Sequence, residues 1–397
     1  MKQSRASPRE TKNRSNATRS SAAQLIPQID QTEPSGGARG YLASIQFLRF
    51  VAATLVVMFH TTVALHKYLG GDLLLSFVNN ATFGASGVHI FFVISGFIMV
   101  YTSFRTKNDD FRPATFAFRR LTRIYPIYFI YAIFYLYFYS AFATGKNLST
   151  GQLLGSLLLL PGYSSLIIGP GWTLSYEVYF YLCFGIAMLL GLTRGLVVLT
   201  AFFGAAIAAG VVFSKSNQMF GVFTNSLLIE FLFGAWIGHA VVSKVRLSNH
   251  IANLLLLAAF SIFSAGITLG YSRLPSLLTW GVPSAMLVAG LIVRESNGSV
   301  PSPIKRFAFL GDSSYSLYLL HVVLIDAVIL IAITFYSPTI DHVMLIGPLG
   351  IAGICFMIAA FCIAVALVSY EFIERRLLAS LHYLQRRRIV IRDKRQA

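Results

Sequence analysis

Apolar and polar positions along this chain fall into long blocks. After a polar opening of about 40 residues, apolar runs of about 20 recur, separated by short polar or basic stretches. A helix of about 20 residues rises about 30 Å, the thickness of a bilayer's hydrocarbon core. A large water-soluble core would instead show interrupted apolar faces at helical or strand periodicity. The blocks predict membrane helices near 41–64, 84–104, 124–143, 172–190, 195–213, 222–243, 250–271, 276–293, 313–336 and 346–370. Residues 151–161 (GQLLGSLLLLP) are apolar but too short to cross, and read as an interfacial or re-entrant segment. The predicted fold class is all-α, a polytopic bundle of about ten transmembrane helices.

Composition agrees. Of 397 residues, 56% are hydrophobic and 12% charged, with a mean hydropathy of +0.68; soluble domains carry about twice that charged fraction. The net charge of +17 does not indicate nucleic-acid binding, because the basic residues gather between the apolar blocks rather than on a folded surface with stacking aromatics. Cys183, Cys355 and Cys362 all lie within apolar spans, with neither disulfide-framework nor zinc spacing. Residues 1–40, rich in Ser, Arg, Thr and Gly, hold no apolar run of the signal-peptide kind and are expected to be a disordered basic tail.

Lysine and arginine set the orientation. With the N-terminus on the cytoplasmic side, 27 of the 32 basic residues fall in cytoplasmic segments, four fall outside, and Arg49 lies within the first span. Such a bias predicts both termini cytoplasmic, and hence an even number of spans. Residues 41–374 are taken as the membrane domain and 375–397 as a basic cytoplasmic tail, either a stop-transfer cluster or an amphipathic segment on the inner surface.

Ionisable groups within spans are costly, and each invites a functional reading. Arg49 and His60 sit eleven residues apart in SIQFLRFVAATLVVMFH. Eleven helical steps return to within about 20° of the same face and advance about 16.5 Å. One stripe thus offers a permanent cation near the cytoplasm and an imidazole further out. That suits a donor with an anionic head and a long reactive arm, with His60 as general base; the alternative is a neutral histidine bonded between helices. Arg119, Arg120 and Arg123 lie in the inner loop, and Arg120 and Arg123 share a face if helical. They either grip phosphate or anchor the loop. Glu177 lies in the aromatic cluster GPGWTLSYEVYFY beside Trp172, and either supports His60 or pairs with an arginine. Tyr315, Tyr318 and His321 form a polar stripe on the ninth span. His321 and Asp326 have H-x4-D spacing, but about 140° of helix separates them. His89 is assigned no role.

Five segments in order carry a family resemblance: SIQFLRFVAATLVVMFH, GVHIFFVISGFIM, FRRLTRIYPIY, GWTLSYEVYFY and SYSLYLLH. With them the chain resembles the acyltransferase 3 family of integral membrane acyltransferases, and looks most like the bacterial exopolysaccharide acetyltransferases of the succinoglycan type. The resemblance implies a multi-pass enzyme of the bacterial inner membrane. It would take acetyl, or a similar short acyl group, from cytoplasmic acetyl-CoA to a hydroxyl of a surface or exopolysaccharide sugar precursor. Acetyl-CoA would be a substrate, with no bound cofactor or metal; the acceptor would be a sugar or lipid-linked oligosaccharide. The family's Arg-x10-His maps onto Arg49 and His60, its Arg-x-x-Arg onto Arg120 and Arg123, and its Glu after Trp-Ser-Leu onto Glu177, here after Trp-Thr-Leu. His89 departs from the Asp common in the family. No appended hydrolase-like domain is expected.

The expected site lies between the first, fourth and ninth helices. Arg49, Arg120 and Arg123 would bind the donor's phosphates; His60 and Glu177 would be catalytic; and Trp172, Tyr315, Tyr318 and His321 would line the substrate pocket. The rival is a transporter or flippase for a polysaccharide or lipid-linked sugar precursor, disfavoured by the lack of a visible inverted repeat and by how few spans are broken by Gly or Pro.

Overall fold

The computed structural model describes residues 42–104, 111–142, 147–213, 218–269, 274–336, 340–381 and 383. The expected tail 1–40 and the chain from 384 onward, along with His382, lie outside the described residues. Ten helices are long and apolar enough to cross a membrane: Ala43–Leu69, Thr82–Phe104, Pro113–Ala141, Gly169–Leu190, Leu192–Val212, Gly221–Val242, Asn249–Thr268, Leu277–Ser296, Ser302–Phe335 and Gly347–Leu381. They are called the first to tenth spans below. No strand occurs among the described residues.

Three ends differ most from expectation, among them the start of the ninth span, at Ser302 rather than near 313. The third span starts at Pro113, whose fixed φ suits a first helical turn. Arg119, Arg120 and Arg123 are therefore helical, and not part of a loop; their charge had masked the helix's amphipathic first turns. The tenth span bends at Gly347, whose φ of 60° only glycine adopts readily, ahead of Pro348. It then passes through a π turn at Tyr370–Glu374 and continues helical to Leu381, carrying Arg375 and Arg376 with it. The segment read as too short to span contains a short helix, Thr150–Leu157, closed by a capping box of Ser149 and Gln152. It docks on the bundle where Tyr128 Oη donates to Ser156 O (2.9 Å) and Ser175 Oγ to Leu159 O (2.7 Å).

The first span is central, touching the second, eighth, ninth and tenth. Its N-terminal amides, which have no partner within a helix, are capped from far along the chain. Ala43 N and Ser44 N donate to the two carboxylate oxygens of Glu295 at 3.2 and 2.7 Å. A carboxylate here also complements the helix dipole.

The second and sixth spans approach most closely, because glycines leave room for backbone. A Cβ at Gly234 would lie 1.8 Å from Val93 O, and one at Gly96 would lie 1.9 Å from Phe231 O. Within lipid, where burying apolar surface drives little association, such small-residue contacts hold helices together. Beside this seam Phe231 stacks between Phe92 and Phe180, each 4.6 Å away by ring centroid. The fifth and seventh spans lie at the periphery and expose Val197, Val198, Phe202, Leu254, Leu257 and Phe260, as lipid-facing helices do.

Candidate active site

His60 is half-buried on the first span, and its Nδ1 lies 2.9 Å from Val56 O. A carbonyl oxygen only accepts, so this assignment places the proton on Nδ1 and the lone pair on Nε2. His60 Nε2 bonds to no described residue. His321, fully buried on the ninth span, repeats the arrangement: its Nδ1 lies 2.7 Å from Tyr318 O, and its Nε2 has no partner among the described residues. The two rings meet edge to face, with centroids 4.9 Å apart and planes at 69°. Two imidazoles from opposite ends of the sequence thus stand together, each with its basic nitrogen unspent.

The ninth span also supplies the wall beside them. Tyr318 packs against His321 and Phe91, and its Oη lies 2.8 Å from Thr173 Oγ1 on the fourth span. That bond joins the ninth span to the fourth, and the His60–His321 contact joins it to the first. Tyr315 Oη instead donates to Ile124 O on the third span (3.0 Å). Trp172 remains 40% exposed, with Phe92 and Tyr176 against its ring, so it is the substrate-pocket candidate most open to the surroundings. Asp326 accepts from Tyr139 Oη (2.6 Å), a partner distinct from those of His321.

Towards the N-terminal end of the first span lie the three arginines. Arg120 is buried; it donates to Thr102 Oγ1 (2.7 Å), its guanidinium lies over the Phe116 and Tyr181 rings, and its Nε has no partner among the described residues. Arg49 donates to Gln46 Oε1 (3.0 Å). Arg49 and Arg120 each lie within electrostatic range of Arg123 and of Glu177. Among the described residues none of the three is within 4.0 Å of a carboxylate oxygen. The fold therefore gathers three cations without a direct counter-ion, an arrangement suited to a multiply charged anion.

Among the described residues Glu177 bonds directly to neither His60 nor an arginine. It accepts hydrogen bonds from Ser95 Oγ (2.7 Å) and from Tyr181 Oη, and none links it to His60. The neighbour of His60 is His321. Glu177 lies within electrostatic range of Arg49 and Arg120.

Comparison with known proteins fits this geometry. A family model described as an acyltransferase domain matches residues 42–368. The chain belongs to this acyltransferase family. It is also 31% identical over 257 residues, 62% of this chain and 78% of the relative, to the exopolysaccharide production protein ExoZ of Rhizobium meliloti (strain 1021). No solved structure matches. The protein is thus an acyltransferase with ten candidate transmembrane helices, and every site residue named from the sequence lies inside the matched range.

Other polar groups of the acyltransferase take no role from the sequence. Asp312 accepts from Gln46 Nε2 (2.8 Å), extending the Arg49 contact by one link. Glu374, buried in the π turn of the tenth span, accepts from Ser316 Oγ (2.6 Å), which in turn accepts from Tyr131 Oη (2.9 Å). On the opposite face of the second span, His89 Nδ1 meets Glu230 Oε1 at 2.6 Å. Glu230 has no exposed surface, and its Oε2 has no partner among the described residues. A carboxylate within an apolar run, as in LLIEFLFGAWIG, was the available signal for that pair.

Proposed function

We propose that the protein transfers an acetyl, or similarly short acyl, group from cytoplasmic acetyl-CoA to a hydroxyl of an exopolysaccharide sugar precursor, in the bacterial inner membrane. The observation that carries this reading is the pairing of two features: three arginines, on the first and third spans, with no carboxylate within 4.0 Å among the described residues, and two imidazoles, on the first and ninth spans, whose Nε2 atoms bond to no described residue. The name of the ExoZ relative supports the acceptor class, and the placement of lysine and arginine supports the cytoplasmic donor side.

In this mechanism Arg49, Arg120 and Arg123 hold the donor's phosphates, and the long arm carries the thioester towards His60. His60 Nε2 removes the proton of the acceptor hydroxyl as its oxygen attacks the thioester carbonyl. The tetrahedral intermediate expels the CoA thiolate, which takes that proton back from His60. An ester and free CoA thiol result, with no net proton gained or lost. His321 holds the edge of the His60 ring, Tyr318 and Thr173 fix the wall behind it, and Glu177 balances the arginines between turnovers. Trp172 and Tyr315 line the acceptor and donor approaches.

The test is His60→Ala in a host that makes the polymer. Polymer should be exported in normal amount but without its acyl group. Loss of export would favour the transporter reading, and unchanged acylation would remove His60 from the chemistry.

A further inference from the structure

We propose that Asp312, acting through Gln46, is a positioning residue that aims Arg49 at the donor. The inference rests on the reading of Arg49 as a donor-binding cation.

The Gln46 side chain is held at both ends. Its Oε1 accepts from Arg49 Nη1 at 3.0 Å, and its Nε2 donates to Asp312 Oδ1 at 2.8 Å. Only one orientation of the amide satisfies both partners, because a guanidinium can only donate and a carboxylate can only accept. The chain therefore reads carboxylate, amide, guanidinium. It joins the turn Ala308–Ser313 within the ninth span to the first turn of the first span, 266 residues apart.

The backbone around the relay is fixed as well. Gly311 sits so close that a Cβ would fall 1.9 Å from Gln46 O. Glu295 clamps the two preceding turn amides, Ala43 N and Ser44 N. Gln46 thus cannot drift along its helix or away from Asp312. A direct ion pair would neutralise Arg49 and compete with an anionic ligand. An interposed amide instead orients the guanidinium and leaves its remaining N–H donors unspent. Asp312 itself, Glu374, Glu177 and Arg123 lie within electrostatic range of Arg49, but none bonds directly to it.

The experiment is equilibrium binding of acetyl-CoA to purified protein in nanodiscs, which needs no acceptor. Asp312→Ala and Gln46→Ala should each weaken binding about tenfold, the loss expected for a charge-assisted bond. The double variant should be no weaker than either alone, since both break one chain. Asp312→Asn still offers an oxygen to Gln46 Nε2 and should recover most of the affinity. Equal loss in Asn and Ala would show that Asp312 acts by charge alone, and additive losses would show two unrelated effects; either overturns the relay. If Asp312→Ala fails to fold, the Gln46→Ala and Asp312→Asn pair decides alone: Gln46→Ala without loss overturns the relay. Arg49→Ala separates the relay from the reading beneath it. If Arg49→Ala binds normally, the donor-site reading fails; if only Arg49→Ala loses affinity, the relay fails.

Discussion

Consider the removal of the His89 imidazole by His89→Leu. Glu230 then loses the 2.6 Å bond to its Oε1, while its Oε2 already lacks a partner among the described residues and its surface is wholly buried. A hydrogen bond to a charged group contributes about 1.5–3 kcal/mol. Stranding one member of a buried pair costs more, about 3–5 kcal/mol. Interhelical bonds in membrane proteins tend to the low side, because the unfolded chain in detergent also finds partners. The single variant should therefore lose about 3 kcal/mol. His89→Leu with Glu230→Met replaces both groups by apolar ones of similar bulk, and should return to within about 1 kcal/mol of wild type. Equilibrium unfolding in mixed micelles, followed by fluorescence of the three tryptophans, measures both. A double variant as unstable as the summed singles would refute the reasoning, and so would a single variant that loses nothing.

Three further outcomes follow from the packing and the site. Glu295→Ala should cost about 1–2 kcal/mol by uncapping the first span, seen as a shift in the same unfolding curve with a proportionate fall in active fraction. Gly234→Leu should prevent the second and sixth spans from meeting at Val93 O, giving little monodisperse protein on size-exclusion chromatography. His321→Phe keeps a ring against the edge of His60, the role the mechanism gives His321, and should leave kcat and acetyl-CoA binding near wild type; a fall in kcat of about tenfold or more would show that its Nε2 takes part in the proton transfer.

Much of the architecture was legible because a bilayer demands long apolar blocks, and ten such blocks occur in the sequence and in the fold. The third span began eleven residues before its predicted start because Arg119, Arg120 and Arg123 look like a loop when only hydropathy is read. The meeting of the first and ninth spans at His60 and His321 was visible in part, since each histidine stood out within its span. Their edge-to-face contact was not, because no local spacing encodes it. The partners of Glu177 lie 82 residues away at Ser95 and four away at Tyr181, so the near partner alone was within reach of helical periodicity. Gln46 and Asp312 were passed over for a similar reason: each is an ordinary polar residue until the fold brings the two ends of the chain together.

In the proposed mechanism His60 works on a thioester delivered by acetyl-CoA. Its most direct test offers radiolabelled acetyl-CoA and a crude pool of lipid-linked sugars to purified wild type and His60→Ala in nanodiscs, following label transfer and CoA release. Labelled sugar and free CoA should appear with wild type, and neither with His60→Ala despite normal folding. Equal transfer by both proteins, or no CoA release and no acetyl-CoA binding by wild type, would contradict it.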